Sequence, residues 1–188
     1  MDPIVNPFAP GAGTQPPELA GRNDLRETVR IAVERIRRGK PAKSVILIGL
    51  RGVGKTVLLD RMREDAESSG LHTTRAEAPE NRSLPAILAP QLRQALLRLS
   101  LNAQAQALAQ RALRGLAGFA KALKVKYHDI EVGLDLPPEP GLADNGDLEH
   151  DLLALLETVG AAAQAAGTAV ILFVDEMQYI KEPELAAL

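Results

Sequence analysis

The chain contains no cysteine and no tryptophan, and aromatic residues make up only 3% of its 188 positions. The absence of cysteine excludes disulfides, thiol catalysis and cysteine-ligated metal sites, and it fits a reducing compartment. No apolar run approaches the ~20 residues of a membrane-spanning helix, and the N-terminus lacks the basic-then-apolar pattern of a secretory signal. A net charge of −2 provides no global attraction to nucleic acid or to a membrane. These absences predict a cytoplasmic protein.

One stretch, residues 49–56, matches the phosphate-loop pattern G-x-x-x-x-G-K-[ST] at every fixed position. The apolar run 44–48 before it predicts a buried strand, and the residues after it have helical character. In that context, successive backbone N–H groups from Gly52 to Val57 can surround a phosphate anion at a helix N-terminus. The predicted nucleotide-binding residues in this loop are Gly49, Arg51, Gly52, Val53, Gly54, Lys55, Thr56 and Val57.

Two side chains of the loop have predicted chemical roles. Lys55 is expected to reach the β- and γ-phosphates, where it also serves catalysis, and the Thr56 hydroxyl is expected to ligate Mg²⁺. The alternative is a glycine turn that carries a surface lysine. The predicted strand in front of the loop argues against that alternative.

A second set of candidate residues follows the continuous apolar run 169–174, which ends in Asp175 and Glu176. Such a run is typical of a strand buried on both faces, and ligands bind beyond the carboxyl ends of parallel strands. Asp175 would hold Mg²⁺ through its water shell, and Glu176 would orient and polarise the attacking water as the catalytic base. The alternative is that both acids cap the following turn.

The remaining sequence predicts alternating helices and strands after an extended, Pro/Gly-rich arm over residues 1–20. The predicted elements are a helix over 24–38 capped by Asn23 or Asp24, a strand over 71–76, two helices within 84–123, a hairpin over 124–136, a loop over 137–141, and a helix over 148–166 capped by Asp147 and stopped by Gly167. The pattern predicts one α/β domain.

These motifs resemble those of P-loop ATPases of the division with an additional strand and a catalytic glutamate. More narrowly, the chain is similar to AAA-like ATPases of the archaeal-ATPase and STAND type. Three stretches carry the resemblance: residues 17–22 with Leu25, the phosphate loop 49–59 (Walker A), and residues 174–178 (Walker B), which often carry a glutamine at the place of Gln178.

The resemblance implies a three-layer α/β/α P-loop NTPase fold over residues 21–188, with an inserted helical and hairpin region over 84–140. It implies ATP and Mg²⁺ as ligands, and it places Gly21 and Arg22 at the adenine end of the nucleotide. Such ATPases continue past Walker B with a sensor strand, a further strand and a helical lid, so the parallel sheet is expected to be incomplete at its C-terminal side. The sensor strand would separate residues 45–48 from 171–174.

The predicted function is Mg-dependent ATP binding and hydrolysis that drives a conformational switch. Because the elements that follow Walker B in such ATPases are missing, the isolated chain is expected to be a weak or inactive ATPase. One rival is a P-loop kinase or GTPase; Glu176 beside Asp175 favours water activation instead, and no guanine-reading Asn/Thr-Lys-x-Asp motif is present. The other rival is a non-hydrolysing nucleotide-binding or scaffold module. Self-association or a protein partner stays open, no membrane contact is expected, and nucleic-acid binding would depend on a region beyond Leu188.

Overall fold

The computed structural model describes residues 22–124, 126–130, 133 and 136–188. Its elements in chain order are α1 Asn23–Arg37, α2 Lys55–Ser68, β1 His72–Glu77, α3 Leu84–Leu99, α4 Gln106–Leu123, α5 Leu148–Ala165, β2 Val170–Asp175, a 3₁₀ turn Met177–Tyr179 and α6 Glu182–Leu185. The chain divides into two units between Gly70 and Leu71.

The first unit carries α1, the phosphate loop and α2. An ion pair joins the two helices: both Nε and Nη2 of Arg26 donate to Asp65 Oδ2, at 2.9 and 2.7 Å. Helix α2 is the more buried of the two, with Val57, Leu58 and Met62 on its inner face, whereas α1 has no fully buried residue. The helix that follows the phosphate loop is therefore the better anchored part of this unit.

The second unit is built on a parallel pair of strands covered by helices. Strands β1 and β2 pair in register from His72 beside Val170 to Glu77 beside Asp175. Helices α3, α4 and α5 pack against one another and α3 packs on β1. The largest fully buried side chains of this core are Leu84, Leu88, Leu92, Leu96, Leu99, Leu116, Phe119, Leu123, Leu152 and Leu155. Leucine thus fills the space that aromatic residues occupy in many cores.

Two carboxylates hold the start of α3. Glu184 is almost fully buried and accepts a hydrogen bond from the Leu84 N–H at 2.6 Å. Asp129 accepts the N–H and the hydroxyl of Ser83, both at 2.8 Å. Burial acts to raise the pKa of Asp129, but the two hydrogen bonds from Ser83, a hydrogen bond from its own backbone and the positive charge of Arg82 together bring the pKa below its ordinary value. The negative charges complement the positive end of the helix dipole.

Proline within α3 is accommodated by a side chain. Pro90 has no N–H to donate to the carbonyl of Ala86, four residues earlier. That carbonyl instead accepts from Arg82 Nη2 at 3.3 Å. Arg82 therefore replaces the hydrogen bond that Pro90 cannot donate.

Most predicted helices and strands are confirmed, with shifts of one or two residues. The helices α1, α3, α4 and α5 and the strands β1 and β2 lie where the sequence predicts them. Asp147 caps α5, where its Oδ1 accepts from the His150 N–H at 2.9 Å, and Gly167 lies beyond the end of the helix at a φ of 69°. The proposed cap of α1 is wrong: the helix begins at Asn23, Arg22 occupies the cap position, and no side chain caps it.

The predicted strand over residues 44–48 is wrong. This run has no regular secondary structure, and the side chains of Ile46 and Ile48 are 66% and 93% exposed. A β-branched run favours extended backbone, but a strand exists only when a neighbouring backbone pairs with it. Within the described residues the sheet has two strands, β1 and β2. The arrangement of 45–48 relative to 171–174, and the three-layer architecture, therefore remain predictions.

Two other predictions fall wholly or partly outside the described residues. The arm over 1–20 lies outside them entirely. The hairpin over 124–136 includes Val125, Glu131, Val132, Leu134 and Asp135, which the structure does not describe; the described residues of that stretch belong to no strand.

Two helical glycines provide a stability test. A Cβ at Gly160 in α5 would meet open space, whereas a Cβ at Gly118 in α4 would lie 3.3 Å from the carbonyl oxygen of Leu142. We expect Gly160→Ala to raise the free energy of unfolding by about 0.5–1 kcal/mol through reduced chain entropy. Gly118→Ala should gain no stability, because the backbone at Leu142 must move. Urea unfolding of both variants measures the difference, and equal stabilisation would contradict the packing described for Gly118.

Candidate functional site: the phosphate loop and the acidic pair

The phosphate loop turns into α2 through two glycines in the left-handed region. Gly52 has a φ of 80° and Gly54 a φ of 79°. Any side chain at these positions would cost about 1–2 kcal/mol per residue, so the loop conformation requires glycine there. Gly54 immediately precedes Lys55, the first residue of α2, and no side chain caps this helix. The first N–H groups of α2 are therefore not satisfied by a capping side chain, and a bound anion is one group that can accept them.

The lysine of the loop folds back over its own backbone. Lys55 Nζ donates to the carbonyl oxygens of Gly49 at 2.9 Å and Leu50 at 2.8 Å. A Cβ at Gly49 would lie 3.3 Å from Val53 Cγ2, so this end of the loop is closely packed as well. The ammonium group thus lies over the loop that the pattern predicts to bind phosphate, within reach of an anion bound there.

Arg22 contacts the other end of the loop. Its guanidinium donates to the carbonyl oxygens of Val53 and Gly54, the latter at 3.2 Å. The Gly54 carbonyl also accepts the Leu58 N–H at 3.0 Å, the first hydrogen bond of α2. Arg22 therefore stabilises the turn that contains Gly54. The predicted adenine role of Arg22 stays untested, and Gly21 lies outside the described residues.

The acidic pair lies at the carboxyl end of β2, beside β1. Asp175 Oδ1 accepts the N–H of Glu176 at 3.0 Å, and Asp175 Oδ2 lies 3.6 Å from Nη2 of Arg75. The Asp175 side chain is 13% exposed, so this carboxylate is held with limited access to solvent. Because a carboxylate offers about four lone-pair positions, these two contacts leave it able to accept further ligands.

Glu176 adopts an unusual backbone conformation. Its φ of 56° lies in the left-handed region, which costs a residue with a Cβ about 1–2 kcal/mol. The 3₁₀ turn Met177–Tyr179 follows, and within it Gln178 Nε2 donates to Glu176 Oε2. Non-glycine residues in this region are concentrated at functional sites, which makes the conformation consistent with a special role for Glu176.

Two side-chain contacts of the acidic pair were not predicted from the sequence. Arg75 contacts Asp175, and Gln178 contacts Glu176. In the pairing of β1 with β2, Arg75 lies beside Phe173. Glu77 lies beside Asp175, two positions further along both strands. Residues two apart on a strand share a face, so knowledge of the strand register would have predicted that Arg75 lies near Asp175. The phosphate loop lies in the first unit and the acidic pair in the second.

The donor chemistry of these residues fits Mg²⁺. Thr56 offers a hydroxyl and Asp175 a carboxylate, and Mg²⁺ prefers oxygen ligands, with few from the protein and the rest from phosphates and water. In the described part of the chain no group of three or more His, Cys, Asp and Glu could hold a metal. None of the described helices has the length and apolar character needed to cross a bilayer.

Comparison with known proteins identifies a family. A family model described as AAA ATPase domain matches residues 18–188. No curated protein and no solved structure matches the chain. The family match covers nearly the whole sequence, including both the phosphate loop and the acidic pair, and it confirms the resemblance to AAA-like P-loop ATPases. The chain belongs to the AAA ATPase domain family, and membership of this family implies nucleotide binding.

Proposed function

We propose that this chain binds Mg-ATP and hydrolyses it, and that the ATP cycle drives a conformational switch. The backbone of the phosphate loop supports the proposal most strongly. Left-handed glycines at 52 and 54 lead into a helix start without a side-chain cap, and Lys55 Nζ lies over the same loop. A dense anion such as a triphosphate is the ligand that this combination of N–H groups, helix dipole and ammonium would attract.

The acidic residues would supply the second half of the chemistry. Bound Mg²⁺ would neutralise charge that develops on the transferring phosphoryl group. Asp175 would hold the metal through its water shell, and Thr56 would contribute its hydroxyl. Glu176 would orient a water molecule and accept its proton as the water attacks the γ-phosphate. Lys55 would stabilise the phosphate oxygens by its charge and two or more N–H donors.

The rival functions differ in measurable products. A kinase would pass the γ-phosphate to a hydroxyl acceptor, a GTPase would prefer guanine, and a scaffold would bind nucleotide without turnover. We expect the chain to release inorganic phosphate from ATP slowly with Mg²⁺ present, with less release from GTP and no transfer to a small hydroxyl acceptor. Calorimetry of ATP binding, combined with a phosphate-release assay, distinguishes these functions. Tight binding without release would favour the scaffold, and absent binding would refute all three.

Arg22 offers a test of how the loop is held. Since its guanidinium donates to the Val53 and Gly54 carbonyls, we expect Arg22→Gln to weaken binding of both ATP and inorganic triphosphate by roughly tenfold, the scale of a charged hydrogen bond. Calorimetry with the two ligands measures this.

The matched control for that test is Arg26→Gln. Arg26 pairs with Asp65, between α1 and α2 and outside the loop, so this variant should bind triphosphate normally. If Arg22→Gln weakened ATP binding and left triphosphate binding intact, Arg22 would act at the adenine end, as the family resemblance implies.

A further inference from the structure

The turn after β2 is fixed at both of its ends. On one side, Asp175 is the last residue of β2. On the other, Ile180 is buried in the core of the second unit. Between them, the Tyr179 N–H donates to the Glu176 carbonyl at 3.1 Å and the Ile180 N–H donates to the Met177 carbonyl at 3.0 Å. Because its backbone is anchored in this way, the turn can place side chains reproducibly.

Within this turn, Gln178 holds the carboxylate that we assign as the catalytic base. Its Nε2 donates to Glu176 Oε2, and the side chain of Gln178 is exposed while that of Glu176 is half-buried. The bond uses one of the two oxygens of Glu176, and the other can accept a hydrogen bond from water. A neutral amide fixes the carboxylate without neutralising it, whereas a lysine or arginine in its place would add a cation next to the metal ligand Asp175.

We propose that Gln178 is a positioning residue for hydrolysis, which fixes the side-chain conformation of Glu176 so that its second oxygen faces the attacking water. The inference rests on the proposed function. In this role neither close substitute would serve: asparagine is one methylene shorter, and glutamate would place a second negative charge against Glu176. In this role Gln178 contacts neither the nucleotide nor the attacking water.

The contact can be tested without nucleotide or turnover. In the full chain free of nucleotide, the side-chain NH₂ resonances of Gln178 should shift in the NMR spectrum when Glu176→Ala removes the acceptor. Glu182→Ala, which removes an exposed carboxylate from α6, should leave those resonances in place. Unshifted Gln178 resonances in the Glu176→Ala variant would overturn the contact, whatever the chain does with ATP.

The positioning role is tested by kinetics. We expect Gln178→Ala to lower kcat by roughly five- to tenfold, which corresponds to the net contribution of one ordinary hydrogen bond. KM and the thermal midpoint should not change, and Gln164→Ala, at an exposed position of α5, should match the wild type. Gln178→Asn should not restore kcat, and in a Glu176→Gln background Gln178→Ala should have no further effect.

The two possible failures are distinguishable. If the wild type hydrolyses ATP and Gln178→Ala leaves kcat unchanged, the positioning role is refuted while the proposed function stands. A multiplicative loss in the Glu176→Gln background would refute it too, because Gln178 would then act through another group. If the wild type binds ATP but never hydrolyses it, the proposed hydrolysis fails and the positioning role fails with it.

Discussion

Glu176→Gln should leave Mg-ATP binding intact and slow hydrolysis by roughly 10²-fold or more, within the range that loss of a general base produces. The amide is nearly isosteric with the carboxylate but cannot accept a proton from water. The substitution also keeps a side chain of the same branching at a position where φ is 56°, so the backbone strain is unchanged. Calorimetry with Mg-ATP and phosphate-release kinetics, on a form of the protein that hydrolyses ATP, measure the two effects separately.

A variant of the neighbouring residue Asp175 serves as the comparison for this experiment. Asp175 is the proposed metal ligand, and its Oδ2 lies 3.6 Å from Arg75. Asp175→Asn should therefore weaken the Mg²⁺ dependence of nucleotide binding, an effect that Glu176→Gln should not show. Hydrolysis at the wild-type rate in Glu176→Gln would remove Glu176 as the water-orienting residue. Equal loss of Mg-ATP binding in both variants would assign the two acids a shared structural role instead.

The helices could be predicted because their signals are local. Asp147 caps α5 and Gly167 follows its end, and both positions are visible as a polar residue before and a glycine after a periodic apolar pattern. Each such signal involves residues within a few positions of one another. The same holds for Gly54 of the phosphate loop, which occupies a fixed position of the motif. Gly52, the other left-handed glycine, falls on a variable position of the motif.

Strands and side-chain partners were harder to predict because they depend on distant residues. Residues 44–48 have strong β propensity, yet the structure gives them no regular pairing, and Ile48 is 93% exposed. Pairing is a property of two segments, and one segment's composition does not reveal it. Arg75 illustrates the same point, since its contact with Asp175 follows from the register of β1 against β2, which are separated by some ninety residues of helices and loops.

The local conformation after β2 lies between these cases. Sequence alone places Asp175 and Glu176 at the end of an apolar run, and the structure confirms a strand that ends at Asp175. It does not reveal that Glu176 takes a left-handed conformation or that Gln178 donates to its carboxylate. Both features belong to the turn between β2 and the buried Ile180, and no local sequence pattern announces either of them.

Lys55→Ala should lower the affinity for ATP at least tenfold with little change in folding stability. A charge-assisted hydrogen bond to phosphate contributes roughly 1.5–3 kcal/mol, and each 1.4 kcal/mol is a factor of ten in affinity. The contacts of Lys55 Nζ described here are to the carbonyls of Gly49 and Leu50, at solvent-exposed positions. Their loss should cost little, because those carbonyls can bond to water instead.

The matched control for Lys55→Ala is Lys43→Ala, which removes the same charge from an exposed position before the loop. Long-range attraction between the protein and a triphosphate would fall similarly in both variants and would weaken with added salt. A direct contact would be lost only in Lys55→Ala and would persist in salt. Calorimetry with ATP and with inorganic triphosphate, at two salt concentrations, separates the two effects. Unchanged affinity in Lys55→Ala would mean that residues 49–56 form a glycine turn with a surface lysine, and the proposed nucleotide site would have to be abandoned.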